Sequence, residues 1–220
     1  MKPKSKLIIT ILVDNKKSWF DKFANYLNSE IKKIGHDSVY VNDKENIREG
    51  DVCFLLSCTK ILSKKYLNLN KYNIVIHASD LPIGKGFSPL QWQILEGKND
   101  IPITLFNAGE ELDAGDYFIK DTLKYEGHEL LDELREKMGK KINEMAITFI
   151  QEINSLRAKK QEGNSTFYSR RTRADDLIDP SKSINELFNH LRIADNDKFP
   201  VYFKYLGYSY ILKIEKVNIE

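Results

Sequence analysis

The chain of 220 residues carries 34 basic and 32 acidic side chains, a net charge of +2, with 41% hydrophobic and 11% aromatic residues. A balance so close to neutral gives no electrostatic case for a nucleic-acid or anionic-membrane surface, and the composition is that of a globular core. The length accommodates one α/β core of about 150 residues plus an appendage, or a single large domain.

Lys2, Lys4 and Lys6 precede an apolar run over residues 7–13 that is too short to span a bilayer and lacks a small-residue cleavage site. It reads as a buried first strand in a cytoplasmic protein. Residues 14–18 end the strand. Phe20, Phe23, Ala24, Leu27, Ile31 and Ile34 then recur at helical spacing over 19–34, with Ser18 as N-cap and Gly35 as stop. Residues 38–41 give a second strand, 42–50 a polar crossover and 51–57 a third strand. Such repeated units predict a doubly wound, mostly parallel sheet. The first strand-to-helix turn has no Gly-x-Gly-x-x-Gly, which argues against a dinucleotide there. Cys53 and Cys58 fall in an apolar segment and read as buried thiols rather than a disulfide or metal pair. Residues 58–67 leave the sheet and turn helical.

The β-branched run Ile74-Val75-Ile76 feeds into His77 and then into the Pro/Gly loop 79–86, so a buried strand delivers a histidine to a loop at its C-terminal end. Open α/β sheets place their ligands there. Pro89 opens a helix with Ser88 as cap, ending at Gly97. Residues 101–106 form a fifth strand, and 111–116 offer Asp113 just before Gly115 on a loop expected to return to the first. Histidine and carboxylate together can move a proton. A sixth strand occupies 117–119.

Beyond residue 120 the pattern turns helical, over 128–138 and 141–158 with Gly139 between them. The loop 161–173 joins Phe167 and Tyr168 to Arg170, Arg171 and Arg173. Forked guanidinium donors suit phosphate and aromatic faces suit a base, although a solvated basic loop reads equally from the residues. A short helix over 183–190 precedes a β-hairpin over 199–214 centred on Gly207. His36, His128 and His190 sit at helix ends, where capping or surface roles explain them. No metal-ligand spacing, Gly-x-Ser-x-Gly elbow or Walker loop is present.

His77, Ser79, Leu81-Pro82, Gly86, Pro89, Trp92, Gly97, Thr104 and Asp113-Ala114-Gly115 reproduce in order the pattern of the formyltetrahydrofolate-dependent formyltransferases, which the chain resembles. The family's Asn two residues before the histidine is Val75 here, and Asn73 lies one residue pair further back on the same strand face. The resemblance implies an α/β, Rossmann-like core over 1–125, and C-terminal helices, loop and hairpin over 126–220 packing on it. Among its members the chain looks most like the short sugar N-formyltransferases acting on UDP-linked 4-amino sugars in pseudaminic acid biosynthesis. The near-neutral charge weighs against a tRNA substrate.

The activity implied by that resemblance is direct transfer of a formyl group from 10-formyltetrahydrofolate to a sugar amine, without a metal. His77, Asp113 and Asn73 would be catalytic, and Ser79, Leu81, Pro82, Gly84 and Asp116 would hold the cosubstrate. Asn15, Ser18, Trp19, Lys60 and Lys85, with Phe167, Tyr168, Arg170, Arg171 and Arg173, would take a nucleotide-linked amino sugar. For the turn 15–19 an ordinary polar loop, and for Lys60 a solvated side chain, are the alternatives. A dTDP-linked acceptor, or a non-catalytic folate- or nucleotide-binding module of the same fold, are the competing functions. The C-terminal elements could also form a homodimer.

Overall fold

The computed structural model describes residues 6–217; Lys2 and Lys4 lie outside the described residues. The first apolar run forms β1 (Ile8–Leu12), succeeded by α1 (Asp21–Lys33), β2 (Asp37–Val41) and β3 (Gly50–Leu55). Then come α2 (Lys64–Leu67), β4 (Asn70–His77), the two-residue β5 (Lys85–Gly86) and α3 (Pro89–Leu95). β6 (Asp100–Asn107) and β7 (Tyr117–Lys124) lead into α4 (Leu131–Glu152) and the short β8 (Phe167–Tyr168). The described chain closes with α5 (Ile184–Arg192), β9 (Val201–Tyr205) and β10 (Tyr208–Leu212).

The main sheet has the order β2-β1-β3-β4-β6-β7. β2, β1, β3 and β4 pair in parallel, whereas β6 runs antiparallel to both β4 and β7. The fold is therefore α/β with a mostly parallel sheet, completed by the C-terminal hairpin. Beyond Ile8, which is 40% exposed, β1 is enclosed because its apolar side chains meet helices on one face and a second cluster on the other. Ile9, Ile11, Phe54 and Ile74 pack against α1 and α4, while Leu12, Cys53, Leu55, Leu62 and Tyr66 fill the opposite side. Burial pushes both cysteine thiols up to about 12, so each stays protonated at neutral pH.

Several local expectations are corrected. Ser18 is not the N-cap of α1, which starts at Asp21 with Phe20 at the cap position. Its hydroxyl instead accepts from the Phe20 N–H at 3.2 Å and bonds the Ser57 hydroxyl at 3.0 Å, because Phe20 must drop into the core before the helix begins. Ser88 likewise makes no side-chain cap, adopting a left-handed φ of 51° ahead of Pro89. Only residues 64–67 of the stretch 58–67 are helical.

The largest correction is at Gly139, which does not divide two helices but lies inside the single 22-residue α4. A Cβ at Gly139 would stand 2.6 Å from ring atoms of Phe23, a buried residue of α1, so the glycine permits close helix packing. Asn143, one turn on, donates to the Phe23 carbonyl at 3.0 Å. Through Leu134, Ile142, Met145, Ala146 and Phe149, α4 belongs to the main core.

Further on, Ser183 caps α5 reciprocally with Glu186, as its type suggests. Leu206 and Gly207, with φ of 45° and 84°, form the tight turn that joins β9 to β10. Ile178, Leu187, Leu191 and Val201 make a small separate cluster there. Arg192, only 1% exposed, ties α5 to the core through Asn99 at 2.6 Å and Glu129 at 3.7 Å. Among the described residues no helix is long and apolar enough to cross a membrane.

The close packing at Gly139 sets a stability test. Gly139→Ala gains up to about 1 kcal/mol of helix propensity, yet the added methyl overlaps the Phe23 ring, and overpacking costs about 1 to 3 kcal/mol. The thermal midpoint monitored by circular dichroism should therefore fall, and fall further for Gly139→Val; a rise in Gly139→Ala would show that the ring turns aside freely.

Candidate active site

His77 stands at the C-terminal end of β4, opposite Thr104 of β6. Its Nε2 lies 2.9 Å from the Gly84 carbonyl. A carbonyl only accepts, so Nε2 carries the proton in that bond and Nδ1 is left as the basic nitrogen. Asp113 Oδ2 is 3.9 Å from the same Nε2, both side chains being about 10% exposed, and accepts from the Gly86 N–H at 2.9 Å. The loop 108–116 does return to the first loop. It does so by a turn in which Asp113 has a φ of 49° and Gly115 presses on the Asn107 carbonyl, where a Cβ would come within 1.6 Å of the oxygen. No other residue type fits there.

Asn73 is not brought to this pair. Its amide donates to the Leu67 carbonyl at 2.8 Å, while its backbone is tied to Asn107 and Ala108. Four residues of extended strand separate it from His77, about 13 Å, and the amide is used to anchor the end of α2. Val75, nearer the strand end, lines the cleft instead.

The cleft, about 400 Å³, runs across the C-terminal ends of the strands. On one side Leu55, Leu62, Leu67, Val75 and Phe106 give it an apolar wall. Trp19 and Met138, which pack on the main core, also line it, as do three arginines, Arg135, Arg170 and Arg171. His77, Gly86, Phe87 and Asp113 complete the lining.

Most residues expected to touch the cosubstrate lie behind this surface. Ser79, Leu81, Pro82 and Gly84 are buried under the loop, Ser79 through its carbonyl accepting from Thr104 Oγ1 at 2.6 Å. Gly84 has a φ of 74° and packs against the Tyr168 ring. Their contribution is to shape the loop, since Pro and Gly residues turn the chain and His77 gains its partner from Gly84. Asp116 is exposed and off the cleft; its carbonyl accepts from the Asn107 N–H at 2.9 Å.

Of the residues expected at the acceptor, Trp19, Lys60, Arg170 and Arg171 line the cleft. The others do not. Asn15 and Ser18 are taken up in the turn before α1. Lys85 is buried with its Nζ 5.9 Å from the Phe167 ring centre, and Phe167 itself is 66% exposed. Tyr168 stacks on Trp92 and donates to Glu96 at 2.8 Å. Arg173 is engaged by Asp176, by the Pro200 carbonyl and by the Tyr202 ring, 4.2 Å away. The reason is the pairing of β5 with β8, which fixes the segment's register and so decides which side chains reach the cleft. Arg170 lies over Phe87 at 4.3 Å, and Arg171 is held at 2.9 Å by Asp176.

Arg135 carries no signal in the sequence, because helical periodicity marks only the apolar positions of its helix. It faces the cleft while paired with Asp195 at 3.2 Å. Cys58 also lines the cleft, but its protonated thiol is no nucleophile. Among the described residues no group of three His, Cys, Asp or Glu side chains is placed to hold a metal ion.

The family model described as formyl transferase matches residues 21–150, more than half of the chain. The methionyl-tRNA formyltransferase of Thermotoga maritima is 30% identical over 152 residues, which cover 66% of this chain and 48% of that protein. The chain spans about half the length of the curated relatives it matches. Among solved structures it is similar to the methionyl-tRNA formyltransferase from Clostridium thermocellum, at 22% identity and a TM-score of 0.79 over 96% of this chain and 93% of that one. It is also similar to a 4-N formyltransferase from Francisella tularensis, at 20% identity and a TM-score of 0.70 over 97% and 99%. These two likenesses concern the fold alone. Since the matched stretch contains β4, β6 and the loops that set His77 beside Asp113, the chain belongs to the formyl transferase family.

Proposed function

We propose that the chain is a sugar N-formyltransferase that moves a formyl group from 10-formyltetrahydrofolate directly to the amine of a nucleotide-linked 4-amino sugar. UDP-4-amino-4,6-dideoxy-N-acetyl-altrosamine, on the pseudaminic acid route, is the favoured acceptor, and the cytoplasm the expected compartment. The observation that carries this reading is the His77–Asp113 pair in a cleft lined both by apolar side chains and by three arginines.

The family's formyl donor is 10-formyltetrahydrofolate. Leu55, Leu62, Leu67, Val75 and Phe106 would hold its flat ring system, since apolar side chains with few polar groups suit such faces. Bound there, it supplies an electrophilic formyl carbon. The chain's own part is proton handling. An amine attacks only when neutral; the basic nitrogen of His77 would take the proton released as the new C–N bond forms and return it to the folate nitrogen whose bond to the formyl carbon breaks, so that tetrahydrofolate leaves. The Asp113 carboxylate, fixed by the Gly86 N–H, stabilises the imidazolium that results. Val75 has no donor to offer the developing oxyanion where the family pattern has Asn. The protonated imidazole beside the reacting centre is the group left to stabilise it.

Arg170 and Arg171, with Arg135 behind them, suit a diphosphate, and Trp19 offers a face to a base. Val75 also favours a second reading, a folate- or nucleotide-binding module without turnover. Incubating the protein with the donor and a panel of UDP- and dTDP-linked 4-amino sugars, alongside methionyl-tRNA, separates these. Transfer to a sugar amine supports the proposal; transfer to methionyl-tRNA alone, or binding without transfer, would remove it.

His77→Asn and Asp113→Asn should each lower kcat by about 10² to 10⁴ with little change in the melting temperature. Near-normal turnover in either variant would take that residue out of the proton-handling pair. Arg170→Ala and Arg171→Ala should raise the KM for the sugar nucleotide by about tenfold while kcat holds, the pattern of lost uniform binding. Arg173→Ala, whose guanidinium lies off the cleft against the Pro200 carbonyl and the Tyr202 ring, should leave that KM unchanged, and a rise equal to the other two would place the phosphates elsewhere.

A further inference from the structure

His77 and Asp113 belong to loops from different strands, and the segment that binds these loops together is 159–169, beyond the residues the family model matches. After α4 the chain exchanges two backbone hydrogen bonds between Lys159 and Tyr117, at 2.8 and 2.9 Å. It then runs along the loop that carries Gly84. There Thr166 accepts from the Gly84 N–H through Oγ1 at 2.8 Å and from the Lys85 N–H through its carbonyl at 2.9 Å, and the Tyr168 carbonyl accepts from the Phe87 N–H at 3.0 Å.

Between these two anchor points lies Gln161. Its Nε2 donates to the Asp113 carbonyl at 3.0 Å and to the Gly115 carbonyl at 2.8 Å, bracketing the turn on which the Asp113 carboxylate is presented. That turn holds a non-glycine residue at a φ of 49°. This region is costly for L-residues, less so for Asp than for most, and contacts from the surroundings offset the cost. The Oε1 of Gln161 is buried without a partner. Its own hydrogen-bonding capacity is thus not fully met, whereas both carbonyls of the turn gain a donor.

We propose that Gln161 is a positioning residue, whose amide fixes the 113–115 turn and so aims the Asp113 carboxylate at the Gly86 N–H and at His77. It touches neither substrate and acts only through Asp113. The inference rests on the reading of His77 and Asp113 as the proton-handling pair.

The test uses Gln161→Met, which keeps the side chain's length and removes the donors. Amide hydrogen exchange reads the geometry without any substrate. The Gly86 amide, whose acceptor is Asp113, should exchange about tenfold faster or more as its local opening becomes easier, while the Lys85 and Phe87 amides, held by Thr166 and Tyr168, should not change. In turnover, kcat should fall on the order of ten- to a hundredfold, the scale of a misplaced catalytic group, with each KM within about threefold of its starting value. Added to Asp113→Asn, the same substitution should cause no further loss, because nothing is left for it to aim.

Unchanged Gly86 exchange would overturn the proposal. So would loss of protection at all three amides, which would make Gln161 a general prop of the segment, or a loss of kcat that adds to that of Asp113→Asn. Should Gln161→Met fail to fold, Gln161→Glu keeps the shape and replaces the donors with acceptors, and the same readings apply. Gly86-specific loss of protection in a protein that formylates no amine on the panel would leave the positioning intact and refute the acceptor assignment instead.

Discussion

The antiparallel placement of β6 against β4 is the constraint on which the geometry of the site depends. It puts Asn107, the last residue of β6, opposite Ile74, so the chain leaves the sheet three residues short of His77 and heading away from it. The loop 108–116 must therefore double back to bring a carboxylate to the end of β4. Two backbone features let it do so: the left-handed Asp113, and Gly115 set so close to the Asn107 carbonyl that no side chain fits. A parallel β6 would have delivered its succeeding loop to the strand end directly, without this strained return.

Once the loop is folded back, the pair is buried. With both side chains about 10% exposed, the attraction between imidazolium and carboxylate is weakly screened, and the fixed Gly86 N–H keeps the carboxylate from drifting. The cleft then spans both faces of the sheet. Its apolar wall is drawn from the cluster around Leu55 and Leu62, and its arginine wall stands among residues from α4 and the β8 segment.

The C-terminal part is built into this site rather than hung from it. α4 sits in the main core because Gly139 lets it approach Phe23, and that approach carries Arg135 and Met138 to the cleft. The segment 159–169 then stitches together the loops that carry His77 and Asp113, and the buried Arg192 fastens α5 to the turn at Asn99. Hydrogen bonds between distant backbone segments do most of this joining, and no periodicity or composition encodes them.

Sequence alone determined whatever depends on local chemistry and spacing. The β-branched run before His77, the Pro/Gly loop after it, the amphipathic face of α1 and the Gly207 hairpin are legible because neighbouring residues enforce them. So are His77 and Asp113 as a pair, through the ordered pattern around them. Tertiary structure decided everything that hangs on which distant surfaces meet. Gly139 reads as a helix break until Phe23 occupies the space beside it. Asn73 reads as a third catalytic group until the strand's length and the Leu67 carbonyl draw it away. Arg173 looks equivalent to Arg170 and Arg171 until the fold sets it against Pro200 and Tyr202, off the cleft, and Gln161 is one polar residue in a loop until the fold sets it under Asp113. In each case the partner is far along the chain or fixed by a register, and a one-dimensional pattern holds no record of such partners.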